Sequence, residues 1–297
     1  MHRTFVLWLV LTASLAGAQP VHAEDAFFDS NGVRIRYVTA GQGEAVVLIH
    51  GWMSDSSMWG RDRAGNTKLN TTGADGFQLI ALDCRGHGQS AKPTDPAQYG
   101  PEVAEDVIRL LDHLKIDKAH LLGYSSGAFI AGKIAAMHPD RVLSIVFAGQ
   151  APLVGELKPT AFAEVETFAQ LVDEGKDLGD YIIAVTPANK PKPSQAQAKA
   201  IAKFLFAGKD VQALALAGRG FKQLTLSVDE LNQCQAPILF LHGANESDYV
   251  KNRVAIAHKL LGRGEIKTIP GGDHLTTLSK PEFTTAVLTF LKSNKNK

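Results

Sequence analysis

The chain has 297 residues, 45% of them hydrophobic and 21% charged, which suits one large α/β domain with an insertion or two small domains and excludes a disordered or fibrous protein. Lysine and arginine number 31 against 30 aspartates and glutamates, so the basic field that sequence-independent nucleic-acid binding requires is missing. Cys84 and Cys234 are the two cysteines, too few for a disulfide framework, and they are either a single pair or two core thiols. Cysteine and histidine spacings give no zinc pattern.

The N-terminus places His2 and Arg3 before a short apolar run from Phe5 to Leu11, followed by small residues ending in "VHA". This is the layout of a secretory signal peptide, expected over residues 1–23 with cleavage after Ala23 or, as the second choice, Ala18. The apolar run is shorter than the ~20 residues a membrane span needs. An exported, periplasmic or secreted protein without a stable membrane anchor is therefore expected. "LNTT" at Asn70 and "NES" at Asn245 fit the glycosylation sequon.

Next, "VRIRYVTAG" alternates apolar and polar residues behind an "SNG" turn and reads as a hairpin strand at a sheet edge. "AVVLIHG", "FQLIALDCRG", "KAHLLGYS", "VLSIVFAGQ", "PILFLHG" and "EIKTIPGG" are continuous apolar runs, mostly closed by a turn. Strands of this kind separated by helices imply a mostly parallel sheet covered on both faces. In "PEVAEDVIRLLDHLKI", Val103, Val107, Leu110, Leu111 and Leu114 fall on one helical stripe. The last helix, "SKPEFTTAVLTFLK", opens with Ser279 and Glu282 in capping-box spacing. Residues 151–232 carry helical patterns, "TAFAEVETFAQLVDEG" and "QAQAKAIAKFLFAG", around an irregular "NKPKPS" joint, without a buried strand. They are expected to form a helical insertion over the C-terminal edge of a sheet built from residues 24–150 and 233–297.

"GYSSG" satisfies G-x-S-x-G with Ser125 at its centre, between a strand and a helix. Gly123 and Gly127 allow the tight turn that would present the serine, and the backbone N–H of Ser126 at a helix N-terminus can face an oxyanion. A serine hydroxyl needs a base. In a doubly wound sheet the site lies at the carboxyl ends of the strands, which selects His50, His87, His242 and His274 from the histidines. His274, on the glycine-rich "PGGDHLTT" loop, is the chosen base; loop packing is the expected role of the other three. A carboxylate must orient the imidazole. Glu246 and Asp248 in "ANESDYV" both qualify, and either could instead cap the helix that follows.

Taken together, these motifs resemble those of the α/β-hydrolase superfamily over nearly all of the chain beyond residue 23. The resemblance implies that "HGW" supplies an oxyanion-hole N–H from Trp52, with Ser126 as the second donor. "DCRGHGQS", Asp83 to Ser90, is similar to the family's structural loop, and residues 151–232 occupy its lid position. The family's acid usually lies three residues beyond the strand-end glycine, which favours Glu246 as a variant of the more common aspartate and leaves Asp248 as the alternative. No cofactor is implied. The implied activity is carboxylic ester hydrolysis through an acyl-enzyme on Ser125. Lactones, diketone carbon-carbon bonds, N-terminal peptides and cofactor-free haloperoxidase-like chemistry are neighbouring possibilities, and a non-catalytic binding protein is the rival from another class.

The aromatic residues suggest where a small, apolar substrate would sit. Met53, Trp59 and Tyr124 are assigned to its pocket, with Trp52, Phe162, Phe168, Phe204 and Phe206 nearby, although core packing also accounts for such residues. Two other motifs fail on context. "GAFIAGK" resembles a phosphate loop but has Ile134 where Ser or Thr is required, and "GHGQSA" runs into "KPTDP" instead of a helix.

Overall fold

The computed structural model describes residues 24–60, 76–157, 159–186 and 191–295. The expected signal peptide, the Asn70 sequon and part of the "NKPKPS" joint lie outside them.

Eight strands form one sheet: β1 (Glu24–Ser30), β2 (Val33–Gly41), β3 (Glu44–Ile49), β4 (Phe77–Leu82), β5 (Ala119–Tyr124), β6 (Val142–Ala148), β7 (Ile238–Gly243) and β8 (Glu265–Ile269). Their spatial order is β1-β2-β4-β3-β5-β6-β7-β8. The β1–β2 hairpin turns at Asn31 and Gly32, both with positive φ, and joins β4 antiparallel. From β4 to β8 every pairing is parallel. The expected mostly parallel sheet is therefore present, with the hairpin at its edge.

The nine α-helices among the described residues are α1 (Pro101–His113), α2 (Ser126–Met137), α3 (Ala163–Asp173), α4 (Gly179–Val185), α5 (Gln195–Leu205), α6 (Val211–Gly220), α7 (Val228–Asn232), α8 (Asp248–Leu261) and α9 (Pro281–Ser293). Because successive strand residues face opposite sides, Val47 and Ile49 pack with Val103, Leu110, Ile134 and Val254. Val46 and Leu48 face the other way, against Phe283, Val287 and Leu291 of α9. Helices α1, α2 and α8 thus cover one face and α9 the other. No helix among the described residues is long and apolar enough to cross a membrane.

One local expectation changes and one open alternative is resolved. Ser279 does not cap α9, because Thr277–Ser279 forms its own 3-10 turn and the helix starts on Pro281, whose missing N–H costs nothing there. Cys84 and Cys234 are both buried free thiols.

Helices α3 to α6 make up most of the insertion and have a small core of their own, which includes Phe168, Tyr181, Phe206 and Leu214. Its two ends meet: Val154 bridges Leu226, and the Leu226 amide donates to Leu153 O at 2.8 Å. The chain is back on the main body by α7, where Leu231 joins the core beside α2.

Candidate active site

Ser125 links β5 to α2 in a conformation that L residues rarely adopt, with φ 55° and ψ −122°. Two glycines make this turn possible. A Cβ on Gly123 would lie 2.2 Å from Gly127 O, and one on Gly127 would lie 2.1 Å from Ile49 O. The Ser125 amide donates to Ala148 O at 2.8 Å, which anchors the turn to β6. Ser126 is the first residue of α2, so its amide has no intrahelical acceptor. The His50–Gly51–Trp52 turn passes alongside: a Cβ on Gly51 would be 3.1 Å from Ser125 Cβ and 3.7 Å from its Oγ.

His274 arrives on the loop after β8. Its Nε2 is 2.9 Å from Ser125 Oγ and its Nδ1 is 3.0 Å from Glu246 Oε2. An ionised carboxylate only accepts, so Nδ1 carries the proton and the Nε2 lone pair faces the serine hydroxyl. Glu246 is buried while a third of the His274 side chain is open. Its other oxygen accepts from Ser247 N at 3.0 Å. Backbone bonds hold the two loops together, with Asn245 N donating to Gly272 O at 2.8 Å and Ala244 N to Ile269 O at 2.8 Å. A side chain on Gly243 would collide with Gly272 O.

Asp248 lies away from this chain. It is the first residue of α8, its side chain is 90% exposed, and it pairs with Lys251 at 3.0 Å. The cap of α8 is neither carboxylate: the Ser247 hydroxyl accepts from Val250 N. The alternative acid is therefore corrected on reach and direction, since the helix turns Asp248 outward.

The other three strand-end histidines pack as expected. His50 Nε2 accepts from Cys84 N at 3.0 Å and its Nδ1 donates to Gly51 O at 2.8 Å; burial lowers its pKa. His242 repeats the second contact with Gly243 O at 2.9 Å. His87 donates from Nδ1 to Arg85 O at 3.1 Å, while its Nε2 has no partner, and burial beside His50 pushes its pKa down to about 3. The Asp83–Ser90 loop is tied down in the same way. Asp83 accepts from Ser56 N and Gln89 N, each at 2.8 Å, and from Arg36 Nη1 at 3.2 Å.

The pocket expectations need more revision. Trp59 is buried in the core against the α9 face of the sheet, because the capped 3-10 turn Ser56–Trp59 directs the indole inward. Tyr124 is 3% exposed and lies under His274, with its hydroxyl donating to His274 O at 2.7 Å. Phe168 and Phe206 contact each other in the insertion's core, and Phe204 is exposed. Met53 does reach the insertion: it packs on that core, and its carbonyl accepts from Lys209 Nζ at 2.7 Å. Trp52 also links the two parts, with Nε1 donating to Leu214 O at 2.9 Å and its ring meeting Phe168 and Phe221 edge-on. Behind it lies a cavity of about 20 Å³ walled by Trp52, Ser126, His87, Ile130, Phe221 and Leu224, with space for roughly one water.

Fold and site together have the layout of an α/β-hydrolase fold. Residues 44–281 match the sequence profile of the alpha/beta hydrolase fold, and the chain belongs to that family. It is 36% identical over 134 residues to an epoxide hydrolase of Caballeronia sordidicola, covering 45% of this chain and 39% of the relative. It is 26% identical to a putative 2-succinyl-6-hydroxy-2,4-cyclohexadiene-1-carboxylate synthase of Bacillus subtilis (strain 168), covering 87% and 96% respectively. The chain spans only about a third to two fifths of the first three curated relatives it matches. Among solved structures, a carboxylesterase study of Nitrososphaera gargenis superposes with TM-score 0.72 at 19% identity, covering 91% of this chain and 98% of the other. A bromoperoxidase from Bacillus anthracis gives 0.69 at 23%, covering 91% and 100%. At these identities the structural likenesses establish the fold alone.

Proposed function

We propose that the chain is a serine hydrolase that cleaves a carboxylic ester, or a related acyl bond, of a small apolar substrate. The observation that carries this reading is the chain of hydrogen bonds from Ser125 Oγ through His274 to Glu246, 2.9 and 3.0 Å long. Ser125 Oγ attacks the acyl carbon as its proton passes to His274 Nε2, and Glu246 stabilises the imidazolium that forms. The amides of Trp52 and Ser126 receive the oxyanion. Collapse of the tetrahedral species expels the alcohol, which takes the proton from His274 and leaves the acyl-enzyme. Water then repeats the sequence, and the acid departs.

Epoxide opening, suggested by several relatives' names, fits a serine nucleophile at the turn between β5 and α2 poorly. A serine that opened an epoxide would be left as an ether, with no carbonyl for water to attack, whereas a serine ester is hydrolysable. The N-terminal pattern supports export, and N-terminal sequencing of the mature protein, expected to start at Glu24, tests that part.

The activity is tested by p-nitrophenyl ester hydrolysis and fluorophosphonate labelling. Wild-type protein should label on Ser125, and Ser125→Ala should lose both labelling and turnover. A variant with full esterase activity overturns the proposal, and a wild type silent in both assays favours a binding protein of the same fold.

A further inference from the structure

We infer that Tyr124 is a positioning residue for His274, acting through the backbone of the histidine loop and not through contact with substrate. This rests on the proposed role of His274 as base.

Tyr124 ends β5 and immediately precedes Ser125, yet its hydroxyl crosses to a loop 150 residues later and donates to His274 O at 2.7 Å. Its ring centroid lies 5.7 Å from that of the imidazole. The ring is itself fixed. A Cβ on Gly149 would approach it to 3.0 Å, and Phe283 of α9 meets it edge-on at 6.3 Å. Burial and the nearby Glu246 and Asp273 carboxylates raise the phenol's pKa, so the group remains an O–H donor.

Apart from the Asn245 N–Gly272 O bond before it and the Glu246 bond to its ring, His274 sits on a loop bonded mainly to itself. The amides of Leu275, Thr276 and Thr277 all donate to Asp273, within the loop itself. Leu275, next to His274, is 86% exposed and gives the loop no packed cover. The Tyr124 hydroxyl therefore connects the main chain of the base directly to the strand that ends at the nucleophile. That bond holds the backbone of His274 while Glu246 holds its Nδ1, so together they keep Nε2 at the serine without relying on the reacting hydrogen bond, which is lost and remade during turnover.

The test is Tyr124→Phe, which removes one oxygen and keeps the ring. Loss of positioning should lower kcat about ten- to a hundredfold with KM within about twofold, and slow fluorophosphonate labelling of Ser125 to match. A changed KM or acyl-length preference at unchanged kcat would make Tyr124 a pocket wall and overturn the inference, as would wild-type kinetics. The wild-type protein gives a check that does not depend on the variant folding: its NMR spectrum should contain an exchange-protected Tyr124 hydroxyl proton close to the His274 backbone, and a freely exchanging one refutes the inference. The two proposals fail separately. An unlabelled wild-type Ser125 removes the hydrolase reading, whereas a labelled, active wild type matched by Tyr124→Phe removes only this one.

Discussion

Glu246 Oε2 stands 3.0 Å from His274 Nδ1 on the inner side of the loop after β7, while Asp248, two residues further along, faces solvent from the first turn of α8. Only the first carboxylate can fix the imidazole tautomer, since a group with a 90% exposed side chain is already paired with Lys251 and solvated. Glu246→Gln should lower kcat by roughly 10³- to 10⁴-fold, because an amide can donate to Nδ1 and select the wrong tautomer. Asp248→Asn should stay within about twofold of wild type, as expected of an exposed charge pair. Steady-state ester hydrolysis by the two variants decides the assignment, and the reverse pattern would transfer the role to Asp248.

Much of this architecture was readable because short-range chemistry dictates it. Gly123 and Gly127 flank Ser125 since any Cβ there meets backbone oxygen, and buried apolar runs mark the parallel strands β3 to β7, whereas the edge strand β8, expected to be apolar, is exposed except at Ile269. What sequence could not resolve is direction. Whether Trp59 turns toward a pocket or into the core depends on the capped turn before it, and Tyr124's partner lies 150 residues away. The Ser279 cap failed for a similar reason, as Pro281 starts the helix one residue later than the capping pattern requires. Local spacing reports which side chains share an element; long-range contacts settle which face of the site they reach.

The buried histidines should make the fold sensitive to acid. His87 is held down to about 3 by burial and by His50, and His50 is itself lowered by burial. An unfolded histidine binds its proton near pH 6.5, while these do so only at lower pH in the folded protein. The unfolded state therefore carries more protons as pH falls from about 6.5 towards 3, and stability falls with it, by about 1.4 kcal/mol per pH unit for each fully neutral buried histidine. Urea unfolding at pH 7, 6 and 5 should show this loss, and His87→Leu should reduce the slope by about one proton's worth. An unchanged slope in the variant would mean that His87 titrates normally.

Arg85 and Asp106 form a fully buried pair, with Nε and Nη2 on the two carboxylate oxygens at 2.7 and 2.6 Å and Ser30 Oγ adding a third donor at 2.5 Å. Its geometry ties the Asp83–Ser90 loop to α1 and β1. Removing Asp106 alone would leave the buried guanidinium with only the partly exposed Glu102, at 3.7 Å, as a counter-charge, and Asp106→Ala should lose about 3–5 kcal/mol. The double variant Arg85→Met/Asp106→Leu should recover much of that loss, because it also removes the unpaired charge. Urea midpoints of the single and double variants measure the difference; equal losses would show that the pair contributes more than its desolvation costs.

The elbow itself gives the sharpest contrast between two glycines. Gly127→Ala would put a Cβ 2.1 Å from Ile49 O and 2.9 Å from His50 O, so α2 must move away from the end of β3, carrying Ser125 and the Ser126 amide with it. Displacement of that kind should cost at least ~10²-fold in kcat and lower the thermal midpoint as well. Gly175, at φ 64° beyond the end of α3, has nothing within 4 Å of the position a Cβ would take. Gly175→Ala meets only the backbone penalty, about 1–2 kcal/mol, and should leave the kinetic constants alone. Thermal unfolding and ester kinetics of the two variants separate strain from collision. If Gly127→Ala keeps wild-type kcat, the tight packing of α2 under β3 is not what presents the nucleophile.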